Sequence, residues 1–261
     1  MTMSSTPTLI FVHGAWHSPA YWMDVTSRCQ QQGYRCLVPQ LEFCGTEKPV
    51  QSLAGSIRQV QDLIEAETKQ KRNVILINHS FGGAVGCSSV KGFSDKDTSR
   101  LGPGSGRVIG IVQVCAFTPP SGKSLYNMID IDNAFHHSGP DGWEVIDSGD
   151  PINLFYNDIP SEDAKIRTSR LLKQSTATLK DEENIHAGWA EVPVWYLLCT
   201  RDQAIPIQIQ EMMVSAAQNA GASFTTRSLD SGHSPFLSKP AETTGFILEA
   251  VQAFTTPCSV S

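Results

Sequence analysis

The chain alternates apolar runs with segments in which apolar residues recur every three or four positions. Four runs rich in Val, Ile and Leu have the composition typical of strands buried on both faces: residues 7–12, 73–77, 107–117 and 192–199. Residues 35–41 and 223–229 are predicted as further, less apolar strands. The pattern therefore predicts strands spread over the whole chain.

Helical segments are predicted between these strands. Leu53, Ile57, Val60 and Ile64 follow one another at steps of 4, 3 and 4 residues, which predicts an amphipathic helix over residues 50–69. Further helices are predicted from residue 18, over residues 84–90 and 206–221, and from residue 238. In the 206–221 helix, the residues expected to face the core are Ile209, Met212, Met213, Ala216 and Ala220.

Strands that alternate with helices indicate the α/β class, a mostly parallel twisted sheet with helices on both faces. The alternation stops at residue 118, because residues 118–190 are rich in turns and aromatic residues, with one helix-like stretch at 161–179. It then resumes. We therefore predict a single domain over residues 1–261, with a core of residues 7–117 and 191–257 and an inserted, mainly helical cap of residues 118–190.

The composition excludes several classes of protein. A net charge of −6 with 18% charged residues gives no electrostatic reason to bind nucleic acid or an anionic membrane. No secretory signal and no membrane-spanning run is visible. Cysteines are scattered, and Cys115 and Cys199 lie in apolar runs, which is typical of buried free thiols in a reducing compartment. We expect a cytoplasmic monomer or homodimer.

Ser80 comes shortly after the apolar run at residues 73–77. The sequence from Asn78 to Gly82 reads Asn-His-Ser-Phe-Gly, and a small-residue helix is predicted directly after it. This pattern matches the nucleophile elbow, whose usual form is Gly-x-Ser-x-Gly, except that Asn78 replaces the first glycine. Asn visits unusual backbone angles more often than most residues and is tolerated in tight turns. The pattern predicts an exposed, nucleophilic Ser80.

Other predicted strands also end in residues with useful chemistry. His13-Gly14-Ala15 follows the first strand, Asp202 follows the strand at residues 192–199, and His233 follows the last one. In an open parallel sheet, reactive groups gather at the carboxyl ends of the strands. The order Ser80, Asp202, His233 is that of an α/β-hydrolase triad. Asp230 is a second candidate for the acid, but Asp202 directly follows a buried strand and is preferred.

The proposed chemistry needs these residue types. A serine hydroxyl becomes a good nucleophile only when a base such as imidazole takes its proton, and a carboxylate fixes the tautomer of that imidazole. The oxyanion that forms on an attacked carbonyl needs two N–H donors. We expect these donors to be the backbone N–H groups of Phe81, directly after the serine, and of Ala15 in the loop after the first strand.

The sequence also resembles a known family. The segments that carry the resemblance extend over nearly the whole chain: FVHGAWHSPAYW, NHSFGG, AFTPPSGKSL, LFYNDIP, LLCTRD and SGHSPFLSKP. They are similar to the small cap-bearing esterases of the α/β-hydrolase superfamily, among them plant methyl-ester hydrolases and hydroxynitrile lyases. The resemblance implies the same triad and the same oxyanion donors. Hydroxynitrile lyases of this group carry a lysine directly after the catalytic histidine, whereas this chain has Ser234.

The remaining candidates concern the substrate pocket. Trp16, His17, Trp143 and Tyr156 are the residues expected to line it, although His17 could instead cap the next helix and some aromatic residues could simply pack the cap. His79 is interpreted as a structural residue of the elbow. His136 and His137 are interpreted as part of a polar cap loop, because no third ligand at useful spacing supports a metal site. No metal and no cofactor is predicted.

The function predicted from the sequence is that of a serine hydrolase acting on a carboxylic ester or lactone of a small, largely apolar molecule. Two alternatives remain open. The same triad could catalyse intramolecular acyl transfer (lactonisation) or cleave a C–C bond, or the protein could be a ligand receptor that has kept the fold.

Overall fold

The computed structural model describes residues 6–129, 136–146 and 151–256. Its main sheet consists of six parallel strands in the order β2-β1-β3-β4-β8-β9. These strands are β1 Thr8–Val12, β2 Arg35–Leu37, β3 Val74–His79, β4 Val108–Val114, β8 Val194–Cys199 and β9 Phe224–Leu229. The prediction of a mostly parallel sheet is confirmed, although β2 ends four residues earlier than expected.

The strand order places a reversal between β1 and β3. The chain moves outward from β1 to β2, and then crosses back to place β3 on the other side of β1. Ligands of open α/β sheets bind outside the carboxyl ends of the strands at such a reversal. Residues following Val12 and His79 therefore meet at the position where a binding site is expected.

Helices cover the sheet. They are α1 Met23–Gln31, α2 Ala54–Lys69, α3 Gly82–Ser89, α7 Ile207–Asn219, α8 Pro235–Ser238 and α9 Pro240–Thr255. Helix α1 packs against α9, and α2 packs against α3. The apolar spacing of α2 is confirmed, since Ile57, Val60 and Ile64 are buried, but the helix begins at Ala54 and not at residue 50.

The predicted buried face of α7 is confirmed for Met213 and wrong for Met212, Ala216 and Ala220, which are exposed, while Ile209 is partly buried against the core. Its buried residues are Gln210, Met213, Val214 and Ala217, whereas Met212 is 53% exposed. One position of the buried face is polar, because Gln210 turns inward and hydrogen-bonds Cys199, Asp202 and Ile205 at the end of β8 and in the loop that follows it. A pattern of apolar positions alone does not contain that information.

The segment between β4 and β8 contains short helices and a second sheet. The helices are α4 Pro151–Tyr156, α5 Ser161–Thr168 and α6 Thr176–Leu179, and the antiparallel sheet comprises β5 His136–Ser138, β6 Trp143–Ile146 and β7 Gln174–Ser175. The single helix-like stretch predicted at residues 161–179 is therefore wrong. Leu171 and Leu172 pack against the main core, and β7 pairs with β6.

Backbone hydrogen bonds fasten this cap segment to the loops of the core. The N–H of Leu172 donates to the carbonyl of Trp16 at 2.7 Å, and the N–H of Ser175 donates to Phe43 at 3.0 Å. Gln174 also forms an isolated antiparallel bridge with Cys44. Residues 172–175 thus hold the loops after β1 and β2 in place.

Cysteines of the described residues are unpaired thiols, and all of them except Cys36 are buried. Within the same residues, no helix combines the length and the hydropathy that a membrane span needs.

A buried carboxylate joins α2 to the edge of the main sheet. Glu67 accepts hydrogen bonds from Thr8 at 2.6 Å, Arg35 at 3.2 Å and Arg72 at 2.5 Å. Burial alone would raise the pKa of Glu67, but the hydrogen bonds from Arg72 and Thr8 and the charge of Arg35 lower it to about 2. Ionised Glu67 therefore stabilises the contact between α2 and the sheet.

We expect Glu67→Gln to lower the free energy of unfolding by about 2 kcal/mol at pH 7, because hydrogen bonds to a charged group are lost. The folded-state pKa lies below the usual value of 4.5. The contribution of Glu67 is therefore complete above pH 4.5 and disappears as the pH falls toward 2. Urea unfolding at pH 7 and pH 3 measures this, and the difference between variant and wild type must shrink at pH 3. Asp62→Asn, on the exposed face of α2, is the control.

Candidate active site

Ser80 lies in a sharp turn between β3 and α3. Its φ angle is +52°, in the left-handed region that non-glycine residues rarely adopt. The turn is held by its own backbone, since the carbonyl of Ser80 accepts from the N–H groups of Gly83 and Phe117, both at 3.0 Å. Such a conformation costs about 1–3 kcal/mol and persists only where the surrounding structure fixes it. Unlike the buried strand that precedes it, Ser80 remains partly exposed.

Two glycines explain how the turn fits the sheet. A Cβ on Gly82 would lie 2.5 Å from the carbonyl oxygen of His13, so only glycine allows α3 to approach the end of β1 this closely. Asn78, which replaces a glycine of the usual pattern, is the fifth residue of β3. Its Oδ1 would lie 2.0 Å from a Cβ on Gly86. The chain therefore accommodates Asn78 by having no side chain at the facing position of α3.

Asp202 and His233 follow β8 and β9 and are hydrogen-bonded to each other. Nδ1 of His233 lies 2.8 Å from Oδ2 of Asp202, and both residues are at most 3% exposed. The other oxygen of Asp202 accepts from the N–H groups of Ala204 and Ile205, at 2.8 and 2.9 Å. These bonds fix the carboxylate. An ionised carboxylate can only accept, so Nδ1 of His233 carries a proton and Nε2 is the nitrogen available for chemistry.

Gln210 supports the carboxylate from α7 and was not anticipated from the sequence. It is fully buried, and its Nε2 lies 3.3 Å from Oδ2 of Asp202 and 2.7 Å from the carbonyl of Ile205. Its Oε1 accepts from the N–H of Cys199 at 3.0 Å. Gln210 thereby ties the end of β8 to the loop that carries Asp202.

Asp230, the other candidate acid, lies elsewhere. Its carboxylate pairs with Arg201 at 2.8 Å, and 73% of its side chain is exposed. Of the two candidates, the structure therefore places Asp202 against the ring of His233.

The backbone carbonyl of His233 is held by two side chains, those of His79 and Cys115. Nε2 of His79 donates to its carbonyl oxygen at 2.9 Å, and the thiol of Cys115 donates to the same oxygen at 3.4 Å. Burial lowers the pKa of His79 well below its ordinary value and raises that of Cys115, so both groups are neutral. Ligand atoms of His79, Cys115 and His233 lie within 4.8 Å of one another, the spacing of a potential metal site. Two of these groups are already bonded to the His233 carbonyl.

The two predicted oxyanion donors face the same space as Ser80. Ala15 and Phe81 both line the cavity described below. Within the described residues, neither N–H donates to a backbone carbonyl or to a side chain. Trp16, next to Ala15, has a φ of +59°, in the left-handed region.

His17 and Tyr156 support this loop and do not line the cavity. Nδ1 of His17 donates to the carbonyl of Ala15 at 2.6 Å, and its Nε2 lies 3.0 Å from the hydroxyl of Tyr156. Burial lowers the pKa of His17 to about 3, so the ring is neutral. The Tyr156 hydroxyl also donates to the hydroxyl of Tyr21 at 3.1 Å, so His17, Tyr156 and Tyr21 form one buried network. A residue of α4 in the cap therefore fixes the loop that carries Ala15.

The other two expected pocket residues have different positions. Trp16 lines the cavity. Trp143 does not, because its ring lies in the small cap sheet, where the ammonium group of Lys173 sits 5.4 Å from the ring centroid.

Cap residues Asn157 and Asp158 also bind the loops that carry Asp202 and His233. The side-chain amide of Asn157 donates to the carbonyl of Arg201 at 2.9 Å, and the carboxylate of Asp158 accepts from the N–H of Gly232 at 2.7 Å. These contacts hold the residues next to Asp202 and His233. The cap is therefore bonded to the loops that carry Asp202, His233 and Ala15.

A cavity of about 290 Å³ lies between the cap and the carboxyl ends of the strands. Ser80 and His233 both face it. Its remaining lining is mostly apolar, with His136 and Gln203 as polar members. It comes from the segments after β1, β3 and β4 (Ala15, Trp16, Phe81 and Phe117), from the cap (Leu125, Met128, Ile129, His136, Leu154 and Phe155), and from the loop after β8 with the first turn of α7 (Gln203, Ala204, Ile205, Pro206 and Ile209).

This combination of a parallel sheet, a serine elbow and a His–Asp pair under a cap agrees with the comparison to known families. The model of the alpha/beta hydrolase family matches residues 9–245. The chain belongs to this family.

Relatives of known name give the comparison more detail. The chain is 28% identical over 239 residues to "Alpha/beta hydrolase nvfD" of Aspergillus novofumigatus, covering 90% of this chain and 92% of that protein. It is 22% identical over 268 residues to "Methylesterase 1" of Arabidopsis thaliana, covering 94% of this chain and 96% of that protein. The crystal structure of the Arabidopsis methylesterase MES16 shares the fold, with a TM-score of 0.73, 20% identity and coverage of 95% and 99% of the two chains.

The hydrogen bond between Asp158 and Gly232 should slow the local opening of the loop that carries His233. A hydrogen bond to a charged group contributes about 1.5–3 kcal/mol. Asp158→Ala should therefore speed amide hydrogen exchange around Gly232 by about 10-fold or more, as the loop opens more often. Asp163→Ala, which removes an exposed acid of α5, is the control and should leave that exchange unchanged. Equal exchange in both variants would show that the hydrogen bond between Asp158 and Gly232 does not restrain the loop.

Proposed function

We propose that the protein is a serine hydrolase that cleaves a carboxylic ester or lactone of a small, largely apolar molecule. The observation that carries this proposal is the shared cavity: Ser80, in its strained turn, opens into the same apolar space as His233, whose ring is fixed by Asp202 at 2.8 Å. A hydroxyl group, a base and a carboxylate at the ends of three strands are what acyl transfer requires.

In the proposed mechanism, Oγ of Ser80 attacks the ester carbonyl while Nε2 of His233 takes its proton. The imidazolium that forms is stabilised by the carboxylate of Asp202. The N–H groups of Ala15 and Phe81 stabilise the oxyanion, and each such donor typically contributes about 3–4 kcal/mol in the transition state. His233 then protonates the leaving alcohol. Water, activated by the same imidazole, hydrolyses the acyl-enzyme and restores Ser80.

The cavity supports a small and apolar substrate. Its volume of about 290 Å³ lies near the lower end of ligand sites, which typically measure about 300–1,000 Å³. The relatives named as methylesterases support an ester as the bond that is cleaved. Cyanohydrin cleavage has less support, because the residue after His233 is the buried Ser234 and not a lysine.

Whether the acyl group goes to water or to another hydroxyl depends on the cap. Two polar segments of the cap, residues 157–158 and 180–184, are the places in its sequence where water could be expected to enter. Asn157 and Asp158 are instead bonded to the triad loops, and Asp181 accepts from the N–H of Leu53 at 2.6 Å. These segments therefore give no support for water entry. We retain hydrolysis because of the methylesterase relatives, with acyl transfer as the alternative outcome of the test.

The free thiols support the further proposal that the protein works in a reducing compartment such as the cytoplasm.

The direct test supplies methyl and ethyl esters of hexanoic and phenylacetic acids, together with γ- and δ-lactones, and resolves the products by mass. We expect free acids to dominate, both without and with added ethanol. A product dominated by ethyl esters newly formed from the methyl esters or lactones and the added ethanol would replace hydrolysis by acyl transfer while leaving the triad in place.

Ser80→Ala should lower kcat on the best ester by about 10⁴-fold or more, since the attacking oxygen is gone. Circular dichroism should show an unchanged fold, because the residue makes no large buried contact. The measurement is kcat by product formation, with enzyme purified separately for each variant. Activity retained within tenfold of the wild type would mean that another residue attacks.

The two aspartates should differ sharply in their effect on catalysis. Asp202→Asn keeps the geometry but favours the wrong tautomer of His233, and should lower kcat roughly 10⁴-fold. Asp230→Asn removes only an exposed partner of Arg201 and should change kcat less than threefold, because exposed ion pairs contribute little. The comparison uses kcat on one ester at one pH. A larger loss in Asp230→Asn would contradict the assignment of the acid.

A further inference from the structure

A groove of about 400 Å³ lies between α7 and the base of the cap. On the α7 side it is lined by Met212, Met213, Ala216, Ala217 and Ala220. The apolar pattern of the sequence predicts that Met212, Ala216 and Ala220 face the core, but all three are exposed. The described residues of the chain therefore cover only part of the apolar face of α7, and the groove runs along the uncovered part.

The opposite wall of the groove belongs to the segments by which the chain enters and leaves the cap. Met128 lies on the entering segment and Trp189 on the leaving one. The indole N–H of Trp189 donates to the carbonyl of Pro119 at 2.8 Å, and the N–H of Ala187 donates to Oγ of Ser121 at 2.9 Å. These hydrogen bonds join the two segments, so the wall has a fixed shape.

The groove adjoins the catalytic cavity. Met128 lines both spaces. Phe117 lines the cavity, and the next residue, Thr118, lines the groove. On α7, Ile209 lines the cavity and Met213 lines the groove, about 6 Å further along the helix at a rise of about 1.5 Å per residue. The two spaces are therefore neighbours that share the side chain of Met128 as a wall.

Met128 is suited to such a position. Its backbone is held, since its N–H donates to the carbonyl of Leu125 at 2.8 Å. Its side chain is only partly buried. A methionine side chain is unbranched and has three rotatable bonds, so it changes rotamer and adapts to a neighbouring ligand more easily than a branched or aromatic side chain does. A rotation of Met128 joins the cavity to the groove without any movement of the backbone.

The shape and the edge of the groove distinguish it from ordinary surface. Single exposed apolar residues are common on soluble proteins and need no explanation. Here several of them surround one concave space, and the exposed polar residues Lys123 and Asn127 also line it. Apolar surface with a polar rim is typical of a binding site. The groove is also larger than the cavity of about 290 Å³ that contains Ser80.

We propose that the groove binds the far end of the acyl chain of an ester whose carbonyl lies at Ser80, with the chain passing Met128. The substrate class is then esters of medium-chain, unbranched acids, which extend beyond the cavity alone. This inference rests on the proposed function for the reaction at Ser80, but the binding itself requires no reaction. Each methylene group that leaves water against the apolar wall adds affinity.

The test measures equilibrium binding to the Ser80→Ala protein by dialysis with radiolabelled methyl esters of hexanoic, octanoic and decanoic acids, below the concentrations at which they form micelles. We expect the affinity to rise at least tenfold from the hexanoate to the decanoate, because the added methylene groups are buried in the groove. No rise with chain length would overturn the inference.

Two variants fill the groove from its exposed side. Adding Ala216→Trp or Ala220→Trp should remove most of the gain with chain length and leave the affinity for the hexanoate unchanged. Ser215 is exposed on the same helix but is not among the described residues that line the groove, so Ser215→Trp is the matched control and should keep the full gain. A gain that survives both fillings, or an equal loss in Ser215→Trp, would contradict the proposal.

Competition shows whether the cavity and the groove act as one site. Unlabelled methyl hexanoate should displace the decanoate completely, because both place their ester group beside residue 80. A decanoate that binds without being displaced would occupy a separate site and would overturn the inference.

Hydrolysis of the same esters by the wild type is measured in parallel. Hydrolysis without a gain in binding would leave the proposed function standing and refute the role of the groove. A gain that depends on Ala216, in a protein that hydrolyses none of the esters, would refute the proposed function and keep the groove as a binding site.

Discussion

The hydrogen bond from Nδ1 of His233 to Oδ2 of Asp202 is the interaction on which the rest of the site depends. It joins the loops that follow β8 and β9, and it forms only if both side chains keep their orientation. Asp202 is therefore held by two backbone N–H groups and by Gln210. The carbonyl of His233 is held by His79 and Cys115. The parallel sheet brings these groups to one edge, and the buried polar contacts keep them there.

The cap both lines the cavity and contacts the loops at this edge of the sheet. It contributes five residues to the apolar lining of the cavity, and it also bonds to the loops of Asp202, His233 and Ala15 through Asn157, Asp158 and Tyr156. Substitutions in the cap are therefore expected to affect both substrate choice and the geometry of the triad. The same arrangement brings His136 to the cavity from β5, which gives the site a polar group far from Ser80 in sequence.

The sequence predicted the sheet and the residues at the ends of its strands, because buried parallel strands are continuous apolar runs and a serine elbow has a local pattern. It did not predict the contacts that hold those residues. The partner of His79 is 154 positions away, and Gln210 looks like any polar residue of an amphipathic helix. The prediction of one helix at residues 161–179 failed for a similar reason. Strand β7 is only two residues long, and it is defined by its pairing with β6 and by the bridge from Gln174 to Cys44.

The central claim is that Ser80 is an activated nucleophile in the folded protein. The most direct measurement is reaction of the native protein with a fluorophosphonate, followed by intact-mass analysis and peptide mapping, with urea-unfolded protein as the control. Only a serine activated by a base should react. We expect one phosphonyl group per chain, on Ser80, and none after unfolding. An adduct on a different serine, or a native protein that remains unlabelled, would contradict it.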